Sequence, residues 1–529
     1  KTVRSFAANF SKGLEHDPVT GLLTAKGQEN YKKLVKAIFS GRQADFNAIQ
    51  RSPGSLKFVN PQGAYTFSLA GVDSAAIPLP FAPHLSSPEM AANHLELYLM
   101  ALCRDVSFNE YGTGNGTDAN GLGGSLTGDA AAYLQSLGST YTGPRNAQGL
   151  VTPSVLFRCN FSGSLIGPYV SQFLLKPLSV ATAFTNPPTM GLVNLIDAPF
   201  LTSQTQAIAK AKRDFGLSFS DFIKLQNGTI PVPYSSTDYD PSARRFIING
   251  RDMASYAHFD HPYGPFLNAF NVILTNNFPL SPTNPYVNGS ITNEGSFFSL
   301  GWSQLENLLG GVSLEALKAA WAHKWRGQRL LRPEALGGLI DRAVSTGTNP
   351  FNLDSSLFVS HAGINLLDRV QQYNQQQGAA TFLLSQAYPE GAPLHPSYPG
   401  GHAVLAAACI TVIKAFFDNT VKITARFAPV KPDPADPAQL IPLVNEGEND
   451  MTVASELDKL VCNVPLGRNF AGIHWRCDTD AGIYLGEQVA LRFLQDQAAM
   501  QTEETFTGFI VTKFDGTIVR ITATSINPV

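Results

Sequence analysis

The sequence predicts a mainly α fold: helix bundles, in two four-helix-bundle-like halves, with a small C-terminal β-hairpin. Three observations carry that reading. Long stretches repeat apolar residues at helical spacing, several behind a Ser cap or ahead of a Pro stop. Of 529 residues, 44% are hydrophobic, ample for one large core or two fused lobes. Strand-like runs around a tight-turn dipeptide are clearest at the extreme C-terminus.

Taken in order, residues 1–85 read as a mixed N-terminal arm, punctuated by Pro53, Gly54, Pro61 and Gly63, with a helix over 26–39. Residues 86–500 form the α-helical domain. Ser87 caps a helix running to 105, apolar nearly all round and therefore buried. The Gly-rich stretch 111–128 lacks the Lys and the spacing of a phosphate-binding loop and is read as a loop only. Helices follow over 128–137, 202–215 and 218–226, then one over 252–276 and one over 313–332 that Pro333 stops. Further helices cover 355–372, 401–418 and 471–495, and Pro-rich 429–442 reads as a surface loop. Residues 501–529 supply the hairpin, with runs 506–514 and 517–521 around Asp515-Gly516. No internal repeat is visible.

A net charge of −3 gives nothing to attract nucleic acid or an anionic membrane. Charged residues make up 15%, against a usual ~25%. That low figure fits either surface buried between subunits or a low-charge monomer. No apolar run reaches the ~18 residues of a membrane span, since Lys414 interrupts the best candidate. The chain opens Lys1-Thr2-Val3 with no signal-peptide pattern; a soluble protein is expected, with an extracytoplasmic location favoured. The five cysteines form no CxxC pair, so no zinc or redox motif is read; Cys409 falls in a very apolar helix and is expected to be inert core.

Chemistry concentrates in three segments. In Lys324-Trp325-Arg326-Gly327-Gln328-Arg329-Leu330-Leu331-Arg332-Pro333, the eight-residue spacing of Lys324 and Arg332 would bring two cations to one side of a helix. In His395-Pro396-Ser397-Tyr398-Pro399-Gly400-Gly401-His402, two Pro and two Gly shape a turn that leads straight into an apolar helix. His402 then stands in a first helical turn, where free N–H groups favour an anion and Gly400 and Gly401 allow close approach. In Arg468-Asn469-Phe470-Ala471-Gly472-Ile473-His474, followed by Asp478, the His and the acid are four apart and so neighbours on one helix face. The carboxylate would fix the His474 tautomer, and Arg468 adds a planar donor fork. Three cations, two histidines, one acid and a helix N-terminus suit a tetrahedral or trigonal-bipyramidal oxyanion, phosphate or vanadate.

The order of these segments resembles the shared signature of vanadium haloperoxidases and type 2 phosphatidic acid phosphatases. The phrase 395–399, Trp325, the stretch 246–252 and Leu225-Gln226-Asn227-Gly228 look most like the red-algal and cyanobacterial bromoperoxidase branch. The resemblance implies a vanadate cofactor, hydrogen peroxide and bromide or iodide as reactants, and hypohalous acid that halogenates a small organic nucleophile. By position, it implies that His402 binds vanadium. Lys324, Arg332, Arg468 and the Gly401 N–H would neutralise the equatorial oxygens. His474 would bond the apical oxygen and act as acid–base, Asp478 would support a histidine, and His395 would tune halide oxidation. It also implies a homo-oligomer built from dimers, a dodecamer by analogy. Gly400 departs from the family pattern, which has a Ser donating to a cofactor oxygen there. The family's calcium-binding loop has no convincing match in 297–310, so calcium is not assigned.

His258, Asp260 and His261 do not have zinc-ligand spacing and are read as structural or pocket-lining, and His323 is expected at the pocket rim. Two other functions use the same residues. One is a soluble acid phosphatase with His402 as nucleophile and His474 protonating the leaving group. The other is a non-catalytic oligomeric anion-binding protein, raised by Gly400.

Overall fold

The computed structural model describes residues 6–73, 75–112, 125–177, 203–258 and 261–529. Among these the chain is mainly α, and several helices start where short hydroxyls allow. Helix α1 (Ala25–Ser40) opens with Thr24 accepting from the Gly27 N–H and stops at Gly41, φ 65°. Helix α2 (Pro88–Leu102) opens with Ser87 accepting from the Met90 N–H and is buried along nearly its whole length. Ser125 and Ser218 cap α3 (Leu126–Ser136) and α4 (Phe219–Gln226) in the same way.

Several expected elements are corrected. The helix expected over 202–215, whose first residue lies outside the described residues, is a strand, β1 (Gln206–Ala209), paired antiparallel with β2 (Tyr239–Arg245). Left-handed backbone at Gln204 and Lys212 bars a helix there, and the partner strand satisfies the backbone instead. The single helix over 252–276 is two, α5 (Gly250–His258) and α6 (Gly264–Thr275), separated around Pro262, with Pro265 in the first turn of α6. Helix α7 (Trp302–Trp321) starts well before 313 and widens into a π-helical stretch, Ala322–Gln328, that ends at left-handed Arg329. Pro333 does not simply stop it: Pro at N1 is pre-organised for a new start, and Arg332 stands at the N-terminal boundary of α8 (Pro333–Thr346) without a side-chain capping bond. Residues 355–372 split into a 3-10 turn, Ser355–Phe358, and α9 (Leu366–Gln376).

Helix α10 (Gly401–Phe416) matches its expectation. The Pro-rich 429–442 is not plain loop but a short antiparallel pair, β3 (Val430–Pro432) with β4 (Leu440–Pro442). Helix α11 (Val453–Phe470) was not anticipated, and α12 (Arg476–Ala499) begins at 476, not 471. The C-terminal hairpin is present as β5 (Phe509–Thr512) and β6 (Ile518–Ile521), with Gly516 at φ 84°; β7 (Ile526–Pro528) adds a third strand.

The core is centred on α10, buried all round, against α7, α11 and α12. Gly482 and Gly486 set its distance from α12. A Cβ on Gly482 would lie 2.6 Å from the Ala403 Cβ, and one on Gly486 would lie 2.1 Å from the Val404 carbonyl oxygen. This close approach puts the N-terminus of α10 beside the first turn of α12, where the Gly400 N–H donates to the Asp478 carbonyl at 2.8 Å. Among the described residues no helix is long and apolar enough to cross a membrane.

Candidate active site

Lys324 and Arg332 do converge, but not along one helix face. Lys324 sits in the π-helical stretch, a distortion often found at functional sites, whereas Arg332 lies beyond the chain reversal at Arg329. Both clasp the turn that carries the histidines. The Lys324 ammonium donates to the carbonyls of Pro396 (3.0 Å) and Ser397 (2.6 Å). Arg332 donates through Nε to the His395 carbonyl (2.9 Å) and through Nη1 to the Ile473 carbonyl (2.9 Å). It therefore ties the second segment to the third.

His474 and Asp478 also meet, by another route than a shared helix face. His474 precedes α12, and Asp478 is in its first turn, where its carboxylate accepts from the Trp475 N–H at 3.1 Å. The same oxygen accepts from His474 Nδ1 at 2.7 Å and from the Ser397 hydroxyl. Arg332 Nη1 lies 3.0 Å from His474 Nε2. A guanidinium can only donate, so Nε2 accepts and the proton sits on Nδ1, toward Asp478. Arg332 Nη2 stands 3.0 Å from His395 Nδ1 and 3.3 Å from its Nε2, and the His395 ring lies against Trp321, centroids 5.1 Å apart.

Arg468 comes from the last turn of α11. Its Nη1 donates to the Ala257 carbonyl at 3.1 Å, and its guanidinium lies over the Tyr388 ring at 5.2 Å. Its buried Nε has no hydrogen-bond partner among the described residues. Gly401 is the first residue of α10, so its N–H is one of the helix's orphan donors. A Cβ there would lie 3.8 Å from Lys324 Cε. The Gly400 N–H is already taken by Asp478. His402 is half-buried on α10 and lines a cavity of about 540 Å³ with Tyr256, Ala257, Phe266 and Val464.

The cluster is electrostatically unfinished. Lys324, Arg332 and Arg468 are all buried; Asp478 is the carboxylate that acts on both Lys324 and Arg332, and Glu334, which also acts on Arg332, is taken up by Lys12 at 2.7 Å. Burial, then the neighbouring Arg332, hold the Lys324 ammonium well below its ordinary range. Burial drags even Arg332 to about 9, against the attraction of Asp478. His395 and His474 are both held well below the usual histidine range, by burial first and then by Arg332 and Lys324. Burial raises Asp478 although three donors face its carboxylate. Unpaired buried charge is costly, so this arrangement favours any small oxyanion that can enter.

Ser397 carries no sequence signal of its own, and its hydroxyl donates to Asp478. Tyr388 under Arg468, in a bend, and Trp321 against His395, at the end of α7, carried no sequence signal, since lone aromatics usually mean core. His258 pairs with Glu390 at 2.6 Å and stacks on Tyr388, and His261 lines the cavity, while Asp260 lies outside the described residues. His323 does not reach the rim; its Nε2 meets the Ile77 carbonyl at 2.9 Å. Cys409 is buried core as expected, with burial pushing its thiol up, and all five cysteines are free thiols.

Residues 368–502 match the family model described as the VCPO second helical-bundle domain. A vanadium-dependent bromoperoxidase of Corallina pilulifera is 33% identical, over 98% of this chain and 91% of the relative. One of Ascophyllum nodosum is 31% identical, over 97% and 87%. The solved homohexameric second vanadate-dependent bromoperoxidase of Ascophyllum nodosum superposes with a TM-score of 0.82 at 27% identity, covering 98% of this chain and 84% of that one.

Proposed function

The chain belongs to the vanadium-dependent bromoperoxidase family, and on that premise we propose that the clasped turn at 395–402 and its three cations hold vanadate against His402. The enzyme is a vanadate-dependent haloperoxidase that oxidises bromide or iodide with hydrogen peroxide to hypohalous acid, which halogenates organic substrates. The acid phosphatase reading is not favoured by relatives that are bromoperoxidases along nearly the whole chain.

The observation that carries the site is the buried surplus of positive charge beside the N-terminus of α10. The residues present fit a vanadate. His402 would supply a ring nitrogen, the Gly401 N–H and the Arg468 Nε, unpartnered among the described residues, would supply donors, and Lys324, Arg332 and Arg468 would balance the oxygens' charge. Bound vanadate supplies Lewis acidity that makes peroxide electrophilic without a change of metal oxidation state.

The protein's own part is proton handling and orientation. Asp478 holds the His474 proton on Nδ1 and so keeps Nε2 an acceptor; Arg332 occupies it here, and once an anion draws the guanidinium away Nε2 would take a proton from an incoming acid and return it to a leaving oxygen. His395 packs between Trp321 and Arg332, placed to meet halide or the departing hypohalous acid. The calcium site of the family is not assigned to this chain.

The homohexameric neighbour supports a homo-oligomer, which we take to be built from dimers; mass photometry separates a hexamer from a dodecamer. The function is tested by assaying vanadate-free protein for bromide oxidation with peroxide, before and after adding vanadate. Activity that appears only with vanadate is expected. Hydrolysis of a phosphomonoester with no vanadate-dependent bromide oxidation would reverse the assignment.

A further inference from the structure

Three consecutive residues after His474 are each held from outside the site by one face of α2. The Trp475 indole N–H donates to His94 Nδ1 at 3.3 Å. Arg476 forks onto the Glu96 carboxylate, with Nη2 at 2.6 Å and Nε at 2.9 Å. The Cys477 N–H donates to the Asn93 side-chain oxygen at 2.9 Å. All six residues except Cys477 are buried.

Trp475 is the link that matters for chemistry. Its backbone N–H donates to the same Asp478 oxygen that accepts from His474 Nδ1. Its indole donates to His94. The ring of His94 is thus two hydrogen bonds and one residue away from the acid–base pair. His94 is costly where it is. It is fully buried, burial drops it to about 3, and its Nε2 has no partner among the described residues. With Nδ1 accepting, the proton must sit on that unpartnered Nε2. An apolar side chain would avoid the cost of burying that unpartnered group, so the bond to Trp475 is the interaction that accounts for a histidine here.

We propose that His94, with Asn93 and Glu96, forms a positioning clamp on α2 that fixes the Trp475–Asp478 turn and through it the tautomer and aim of His474. This rests on the assignment of His474 as the acid–base group. The clamp lies nearly 400 residues from that turn in sequence, so it couples the first long buried helix to the chemistry. Displacement of a catalytic group by ~1 Å can cost about 100-fold in rate, so even a slack clamp would register.

The test uses His94→Leu, His94→Gln and Trp475→Phe, with steady-state kinetics at saturating vanadate and nitrogen NMR of histidine-labelled, vanadate-free protein. Leu removes the acceptor, whereas Gln keeps one. His94→Leu is expected to lower kcat by about ten-fold or more with the bromide KM unchanged, and to blur the Nδ1–H signature of His474 in the vanadate-free protein. His94→Gln should restore both. Trp475→Phe should reproduce the kcat loss, and the double variant with His94→Leu should be no worse than either single one, because both cut the same link. A His94→Leu protein that melts lower but keeps wild-type kcat and a pure Nδ1–H His474 would overturn the proposal and make the clamp a stability device only. Fully additive losses in the double variant would do the same. If His94→Leu does not fold, Trp475→Phe alone decides by the same two readouts. Vanadate-dependent turnover by wild type, measured alongside, keeps failure of the clamp separate from failure of the function.

Discussion

Two buried clusters of cations in this molecule differ in one respect. Around Asp214, Arg104 (2.6 Å) and Arg251 (3.0 Å) are met by two carboxylates, since Arg251 also forks onto Asp105 at 2.5 Å and 2.8 Å, and the Tyr373 hydroxyl donates to Asp214. Each charge is answered inside the protein, and Arg104 and Arg251 hold the Asp214 carboxyl well below its usual range against the cost of burial. Around His474, Lys324 and Arg332 face Asp478 with Arg468 close by, and burial drags Lys324 and Arg332 themselves down. The first cluster is a finished structural knot. The second is complete only with an anion, and that distinction separates fold from function here.

The largest expected effect breaks the finished knot. Arg104→Met leaves Asp214 short of a partner and should cost about 3–5 kcal/mol in urea denaturation. Lys324→Met removes surplus charge but also the donors to the Pro396 and Ser397 carbonyls; the two terms offset, so its cost in the anion-free protein should fall well short of that at Arg104. Equal losses at both positions would erase the comparison.

Next in size is the effect on the anion itself. Lys324→Met should weaken vanadate binding about 100-fold, near 3 kcal/mol, the upper range for a hydrogen bond to a charged group. Arg104→Met, where it still folds, should bind vanadate normally. Equilibrium dialysis with vanadate reads both.

Acid sharpens the contrast further. His16 and His94 are pulled by burial to about 4 and about 3, from an ordinary 6.5. Above pH 6.5 these groups are neutral in both the folded and unfolded chain and contribute nothing. As the pH falls below that, the unfolded chain takes up protons the folded one refuses, so stability drops by about 1.4 kcal/mol per pH unit for each. His395 and His474 act in the same direction, but theirs is partly the work of neighbouring cations. Vanadate should therefore lessen the site's share of the acid loss and leave that of His16 and His94. Urea midpoints from pH 7 to pH 4.5, with and without vanadate, test this; an identical slope in both would count against an anion-dependent site.

How far the sequence reached follows the same physics. The cap at Ser87 was legible, because capping is local, and the helix starting at Ser218 was found from its range alone. The break between α5 and α6, the π-helical widening before Arg329 and the new start at Pro333 were not, since each depends on what the neighbouring chain supplies. The site's residues were legible as a set because their order along the chain is a signature. Their reasons were not. Lys324 and Arg332 meet through the carbonyls of 395–397, and His474 reaches Asp478 through a helix cap. Ser397 and the α2 clamp were missed because single polar residues in ordinary contexts carry no pattern.

The smallest predicted effect concerns Gly400. A Cβ there would sit 3.1 Å from the Asp478 carbonyl oxygen, a tight contact, although the backbone φ of −67° is open to any residue. Gly400→Ser should add a donor for the anion and tighten vanadate binding by up to about ten-fold, within one hydrogen bond's worth. It should also lower kcat modestly by pushing on Asp478. Weaker vanadate binding would show a pocket shaped around glycine.

The central claim is that the surplus of positive charge exists to hold an oxyanion on His402. Calorimetric titration of vanadate into wild type and His402→Ala, followed by bromide oxidation on the same samples, tests it most directly. The account predicts one vanadate per chain in wild type, with neither tight binding nor turnover in the variant. Wild-type affinity and bromide oxidation in His402→Ala would contradict it.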